Sequence, residues 1–432
     1  MKPKVVFILL DAFRGDYINP VDTPFLHAQS QQGVFGRKMK TTAGFCQRTT
    51  VVTGSRGESN GNFTMFAFDE EHSPYAFLRN KNPGRSLGVM ERGLAALPST
   101  PRFTRVKRVL HRHLVERPKM RLRTRIRQQA EQAGGNAPAG FIPFDLLPQL
   151  SVPEDEKPIH LPGAGTVESI FDVLTEAGIA YDYLLYPVIE LADDAVLEAV
   201  LQRRDNEARL VLAQFSDSDF QVHHCGPSSP ERRKIAAEID RKLREIHTHY
   251  GEGHTWVIIG DHGMTDVTSE LDANRITDDA ARATGAVRGK DYLVFLDSTM
   301  ARWRWLTPRG EAMAVGLAAH VELKSRGRFV DDALAKTHAI PRHDRRFGDL
   351  IWWADPGVLV FPDYFHGPED HNQGMHGYDS NHPDMKGFFL ACGPGIEPRE
   401  LTDADLTDVC PTLCGALGVR NPDAATGRSL ID

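Results

Sequence analysis

Four short stretches of the chain place carboxylates and imidazoles at the ends of apolar runs. In Ile259-Gly260-Asp261-His262-Gly263-Met264 a carboxylate and an imidazole stand side by side, with glycines permitting a tight turn. Adjacent Asp and His suit a zinc-like cation, which accepts both oxygen and imidazole nitrogen. In Asp219-Phe220-Gln221-Val222-His223 the two groups are four apart and share a face if the segment is helical. Asp217 competes there for the carboxylate role. In Leu10-Asp11-Ala12 an Asp closes a buried run, a costly place for an ionised oxygen unless it is paired or metal-bound. In Gly374-Met375-His376-Gly377 a His between glycines can reach a metal unobstructed. Asp11, Asp219, His223, Asp261, His262 and His376 together offer donors for two cations, with room left for substrate or water. Two metals about 4 Å apart clamp the attacking and leaving oxygens of an in-line displacement at phosphorus.

These donors need a frame that gathers them. The apolar runs Val5–Leu10, Leu210–Phe215, Trp256–Ile259, Tyr292–Leu296, Val358–Phe361 and Gly387–Ala391 are short and β-branched, as buried strands are. Helical patterns lie between some of them, at Thr166–Ala177 and Pro230–Tyr250. Strands alternating with helices predict an α/β fold around a mostly parallel sheet, whose ligands collect at the carboxyl ends of the strands. Asp11, Asp217/Asp219 and Asp261 each follow one of these runs. Residues 70–160 and 300–345 break the rhythm and read as insertions capping one core that spans residues 1–432.

Composition narrows the function. The 432 residues are 41% hydrophobic and 25% charged, which rules out wholesale disorder. A net charge of −7 argues against a protein that coats nucleic-acid duplex. Between Arg102 and Arg127, however, eleven Lys or Arg stand against one acid, Glu116, and Pro118 interrupts the segment. It reads either as a solvated helix face or as a basic amphipathic helix making peripheral contact with an anionic membrane or substrate. Five cysteines, an odd and sparse set, point to reduced thiols and a cytoplasmic location. Cys410 and Cys414 have the spacing of a packed helix.

In order along the chain, the motifs resemble the alkaline phosphatase superfamily, most closely its type I phosphodiesterase/nucleotide pyrophosphatase branch. They are Asp11, Val52-Thr53-Gly54, Asp219…His223 with Gly226-Pro227, Gly260-Asp261-His262-Gly263, Arg346-Phe347-Gly348-Asp349, His376-Gly377-Tyr378-Asp379 and Gly387–Pro394. The resemblance implies a three-layer αβα sandwich and a metal-dependent hydrolase of phosphodiester or pyrophosphate bonds. It assigns Asp219, His223 and His376 to one zinc-like ion, and Asp11, Asp261 and His262 to the other. Manganese or iron would also fit such donors. The implied substrate is a small-molecule or lipid-linked phosphoester.

The family also implies a side-chain nucleophile and a covalent intermediate, which divides one difficult displacement into two. Its usual position, ten residues before the glycine of the Thr-Gly turn, is occupied here by Gly44. Cys46 becomes the first candidate, since a thiolate beside a cation is nucleophilic, and Thr42 the second. Arg48 is a candidate phosphoryl contact. A phosphotransferase using a sugar or lipid acceptor, a sulfatase or phosphomonoesterase, and a catalytically silent metal-binding protein are the competing readings. The oligomeric state is not legible.

Overall fold

The computed structural model describes residues 4–79, 109–132, 140–185, 192–367 and 369–432, with a few positions between them. Most of 80–108 and all of 133–139 lie outside the described residues, and with them the first part of the expected basic segment 102–127.

A seven-stranded sheet forms the centre. Its strands include β1 (Val5–Leu10), β2 (Val34–Met39), β3 (Tyr181–Leu184), β4 (Leu210–Phe215), β5 (Thr255–Gly260) and β10 (Gly387–Cys392). With the edge strand Arg399–Glu400 first, the order continues β2-β10-β5-β1-β4-β3. β1 pairs in parallel with both β4 and β5, β3 in parallel with β4, and β10 runs antiparallel to β5 and β2. All six residues of β1 are buried because both faces of the sheet are covered. Alternate side chains diverge with the two-residue period of a strand. Val5, Phe7 and Leu9 join one core with Leu212 and Ile259, while Val6, Ile8 and Leu10 join another with Ala213 and Phe215.

Helices α1 (Gln47–Thr53), α3 (Ile170–Glu176) and α6 (Val409–Leu417) cover the first face. Helix α5 (Pro230–Tyr250), with Pro24–Gln32 and Asp193–Leu201, covers the second. The result is the three-layer sandwich. Cys410 and Cys414 are buried on α6, and all five cysteines are free.

Two of the apolar runs belong elsewhere. Tyr292–Leu296 (β6) pairs with Met300–Trp305 (β7), which pairs with Leu350–Ala354 (β9), which pairs with Gly327–Phe329 (β8); every pairing is antiparallel. Only three residues separate β6 from β7. That is enough for a hairpin but far too few for the crossover a parallel pair requires. Val358–Val360 pairs with Ser269–Leu271 in a separate two-stranded ribbon. The expected second insertion, 300–345, is therefore the middle of a small sheet that begins at Tyr292 and ends at Ala354. The sheet shares one apolar core with Phe66, Tyr75, Ile126 and Leu150. Within 70–160, Tyr75, Leu78, Ile126, Leu147 and Leu150 pack on this second sheet, whereas Ile159 joins the core of the central one. The segment Arg117–Glu131 forms helix α2, preceded without a break by a π-helical turn at Arg112–Glu116. Pro118 does not end the segment: helical backbone runs through it from Arg112 to Glu131.

Candidate active site

The register of the central sheet assembles the site. Leu10 lies level with Phe215 on one side and Gly260 on the other. The next residues, Asp11, Ser216 and Asp261, leave the sheet in one row, on strands about 4.8 Å apart. Helix α4 (Asp217–Cys225) starts at once, its first N–H groups from Ser216 and Asp217 held by Asp193 Oδ1 at 2.7 and 3.2 Å. One turn along, Asp219 and His223 share a face, with His223 Nε2 3.2 Å from Asp219 Oδ1. His376 arrives from the loop before β10, its Nε2 3.4 Å from the same oxygen. His262 Nε2 lies 3.1 Å from Asp11 Oδ1 and 3.8 Å from Asp261 Oδ1. All six line one cavity of about 350 Å³.

The donors fit cations. His223 Nδ1 donates to the Gly374 carbonyl at 2.8 Å, and His262 Nδ1 to the Gly263 carbonyl at 3.0 Å. In both rings that turns Nε2 toward a carboxylate, a contact that needs either a proton on Nε2 or a cation between the two atoms. The Oδ1 atom of Asp219 is buried with no hydrogen-bond partner. A tetrahedral zinc-like ion with bonds of about 2.0–2.1 Å separates its donors by roughly 3.3 Å, which matches the spacings around Asp219. Ligand atoms of Asp219, His223 and His376 fall within 4.8 Å of one another, and so do those of Asp11, Asp219 and His262. Asp219 thus stands between the two groups. The Asp261 Oδ1 accepts from the Ala12 and His262 N–H groups at 3.3 and 3.0 Å, on the edge of the second group.

Burial opposes charge throughout the site. At Asp219 burial is outweighed by His223, His376 and His262, which hold the carboxyl well below its usual range. At Asp261 burial prevails, reinforced by Asp11 and Asp219, and the carboxyl is pushed up. Burial would lower His262 and His223, but Asp261 with Asp11 raises the one and Asp219 raises the other. Burial and His262 push His376 well down, leaving a neutral ring. Three carboxylates crowded into one cavity floor are the electrostatic signature of a place for positive charge.

The nucleophile candidates stand off the cavity. Gly44 has φ +82°, and a Cβ there would stand 2.0 Å from the Phe63 carbonyl oxygen. Position 44 cannot carry a side chain without moving that strand of backbone. Thr42 and Cys46 are buried, and neither lines the cavity. Cys46 precedes α1 among Glu154, Arg48, Asp155 and Arg302; burial, then Glu154, raises its thiol well above the ordinary value. As the loop stands, neither group is poised to attack. Phe45 reaches the cavity instead, edge-on to His376 with ring centroids 5.6 Å apart. It also occupies the space a Cβ on Gly377 would need, its ring only 2.6 Å away.

Arg48 does line the cavity, but its guanidinium is committed to Glu154 Oε2 at 2.6 Å, with Asp155 at 3.4 Å. The Glu154 Oε1 accepts from the Thr49 N–H and hydroxyl at 3.0 and 2.8 Å. A segment of the cap thereby clamps the first turn of α1, where a carboxylate also complements the helix dipole.

Several lining residues were not singled out from the sequence. Gln214 donates to Asp11 Oδ2 at 2.8 Å. His366 sits beside His223, held by Asp363 Oδ2 at 2.7 Å and by the Asn372 side chain at 2.9 Å. Ser298 is the one hydroxyl among the lining residues, and it donates to Asp363 at 2.7 Å. The Asp363-Tyr364-Phe365-His366 spacing was a signal of the same kind as Asp219…His223. Phe45, Met65, Phe365 and Met375 supply an apolar wall.

The family model described as type I phosphodiesterase/nucleotide pyrophosphatase matches residues 5–379. The human ectonucleotide pyrophosphatase/phosphodiesterase family member 5 is 23% identical over 96% of this chain and 74% of its own length. Human family member 7 is 24% identical over 98% of this chain and 82% of its own. Among solved structures, human ectonucleotide pyrophosphatase/phosphodiesterase 5 superposes with a TM-score of 0.65 at 18% identity, covering 96% of this chain and 95% of that one. The murine protein, an inactive variant in complex with AMP, gives a TM-score of 0.65 at 17% identity, covering 97% of this chain and 96% of that one.

Proposed function

Because the chain belongs to the type I phosphodiesterase/nucleotide pyrophosphatase family, a family of metal-dependent hydrolases, we propose that its cavity floor holds two divalent cations, of which zinc suits the donors best. Asp219, His223 and His376 would hold the first, and Asp11, Asp261 and His262 the second. Bound there, the ions would supply Lewis-acid polarisation of the phosphoryl oxygens and a lowered pKa for water. The observation that carries the reading is the convergence of three carboxylates and three imidazoles on one cavity, the Nε2 of His223, His262 and His376 each facing a carboxylate.

The chain's own groups do the positioning. The carbonyls of Gly374 and Gly263 fix the tautomers of His223 and His262, as outer partners of ligating histidines do. Gln214 orients Asp11. Phe45, Phe365 and Met65 give the substrate an apolar surface and keep water from that side. Such a wall suits the planar base of a nucleotide, and the murine relative's complex with AMP supports a nucleotide as substrate. Family membership favours a phosphodiester or pyrophosphate over a monoester as the bond cleaved.

The covalent route needs the loop 41–46 to turn Cys46 or Thr42 toward the cavity. Direct attack by water is the alternative route, and it would invert phosphorus. Five unpaired cysteines favour a reducing, cytoplasmic compartment.

The test compares a chromogenic phosphodiester, phosphomonoester and sulfate ester, each with metal-loaded and chelated protein. The diester should be turned over fastest and only with metal. Equal or faster turnover of the monoester or sulfate would replace this reading with a competing one. Stereochemistry at a chiral phosphorothioate then separates the routes: retention means a covalent intermediate, and inversion means water.

A further inference from the structure

Seven Lys or Arg and two Glu lie between Arg112 and Glu131, in a chain whose net charge is −7. One side of this helical segment is committed to the protein. Val115, Ile126 and Ala130 are buried, and Arg123 lies over the Phe141 and Phe144 rings while donating to the Ile142 carbonyl at 2.8 Å. The other side is exposed, including Arg112, Arg117, Arg121 and Arg125.

The π turn at Arg112–Glu116 sets the pattern on that side. A π turn spends one more residue than an α turn, so a five-residue step brings Arg112 into line with Arg117. Four-residue steps along α2 continue the row to Arg121 and Arg125. Arg112, Arg117 and Arg121 accordingly border one surface depression of about 450 Å³, together with Glu116 and Met120. Large apolar side chains stand among them: Val109 is 51% exposed, Leu114 46% and Met120 50%. A single exposed apolar residue needs no explanation. With Met120 in the depression and Val109 and Leu114 exposed along the same segment, the helix has the composition of one lying in a membrane interface, apolar tips inserted and long basic side chains reaching the phosphates.

We propose that this face docks the protein on an anionic phospholipid surface. Its position also bears on the cavity. The Phe141 N–H, under Arg123, donates to the Tyr364 carbonyl at 2.8 Å, and the next two residues, Phe365 and His366, line the cavity. The docking face is thus one segment away from the cavity wall. Resting on the hydrolase reading, this makes a lipid-linked phosphodiester or pyrophosphate the substrate class such docking would serve.

The experiment is co-sedimentation of the full chain with vesicles of phosphatidylcholine alone, or with about a third phosphatidylserine, at low and high salt. Binding is expected with the anionic vesicles at low salt and should be lost at high salt. The combined variant Arg112→Gln/Arg117→Gln/Arg121→Gln should bind on the order of a hundredfold more weakly, and Leu114→Ser/Met120→Ser should also weaken. Both variants should keep wild-type circular dichroism and wild-type turnover of a soluble diester. Equal binding to neutral vesicles, no binding by the wild type, or undiminished binding by the arginine variant overturns the proposal. Vesicle binding without turnover of any diester would instead leave the docking face standing and sink the hydrolase reading.

Discussion

At the scale of single residues, the site is defined by which atoms lack partners. Asp219 Oδ1 is buried and unpaired, and both His223 Nε2 and His376 Nε2 point at it. Replacing Asp219 with Asn or His376 with Ala should remove metal and lower kcat by on the order of 10²–10³ or more, with the fold retained; turnover and metal content by mass spectrometry check this. Gly44 makes the opposite kind of prediction. Gly44→Thr puts a hydroxyl at the position where the resemblance expects the nucleophile, yet its Cβ meets the Phe63 carbonyl and its φ of +82° is strained for any side chain. It should cost about 1–3 kcal/mol of stability in urea unfolding and give no gain in turnover. A gain without loss of stability would show that the loop moves freely.

At the scale of elements, the ends of helices decide where the site residues stand. Glu154 holds the first turn of α1 through Thr49 and Arg48. Glu154→Ala leaves Arg48 without its closest carboxylate in a buried setting, and should destabilise the chain by about 3–5 kcal/mol, measured by chemical denaturation. Asp193 holds the start of α4, and burial together with Asp217 pushes its carboxyl up to about 7. The folded chain therefore keeps a proton there that the unfolded chain releases near pH 4. Stability from this group is full below pH 4 and is lost as the pH rises toward 7. Melting temperature across that window should fall less in Asp193→Asn than in the wild type; parallel curves would contradict the assignment.

At the scale of the whole molecule, two sheets meet around the cavity. The central sheet supplies its floor, while Phe45 and Met65, Ser298 in the hairpin between β6 and β7, and the stretch from Phe365 to Met375 form its wall. Charge on the floor couples binding to folding. A cation that binds only the folded chain adds about 2.7 kcal/mol of stability at a hundredfold excess over its Kd. Chelation should therefore lower the melting temperature as well as abolish turnover, and zinc should restore both. A melting temperature indifferent to chelator would argue that the three carboxylates tolerate one another without a cation.

Much of this was legible in the residues alone. Buried strands announce themselves by short β-branched runs, and β1, β4 and β5 carry an Asp at or just beyond their ends; helix α5 spans the expected Pro230–Tyr250. Those signals are local, set by side-chain period and by turn chemistry a few residues away. The tertiary structure alone decided the rest. Tyr292–Leu296 looks like any buried strand, and only its neighbour Met300–Trp305 places it in a second, antiparallel sheet. Arg302 in that strand looks exposed by residue type, yet it is fully buried against Asp297 at 2.7 Å and the Phe66 carbonyl at 2.9 Å. Cys46 has the right chemistry and neighbours in sequence, but its surroundings come from Glu154 and Arg302, more than a hundred residues distant. Residue types and their local spacing determined which donors this protein owns. Long-range register and packing determined which of them share a cavity, because contacts between distant segments leave no periodic trace in the chain.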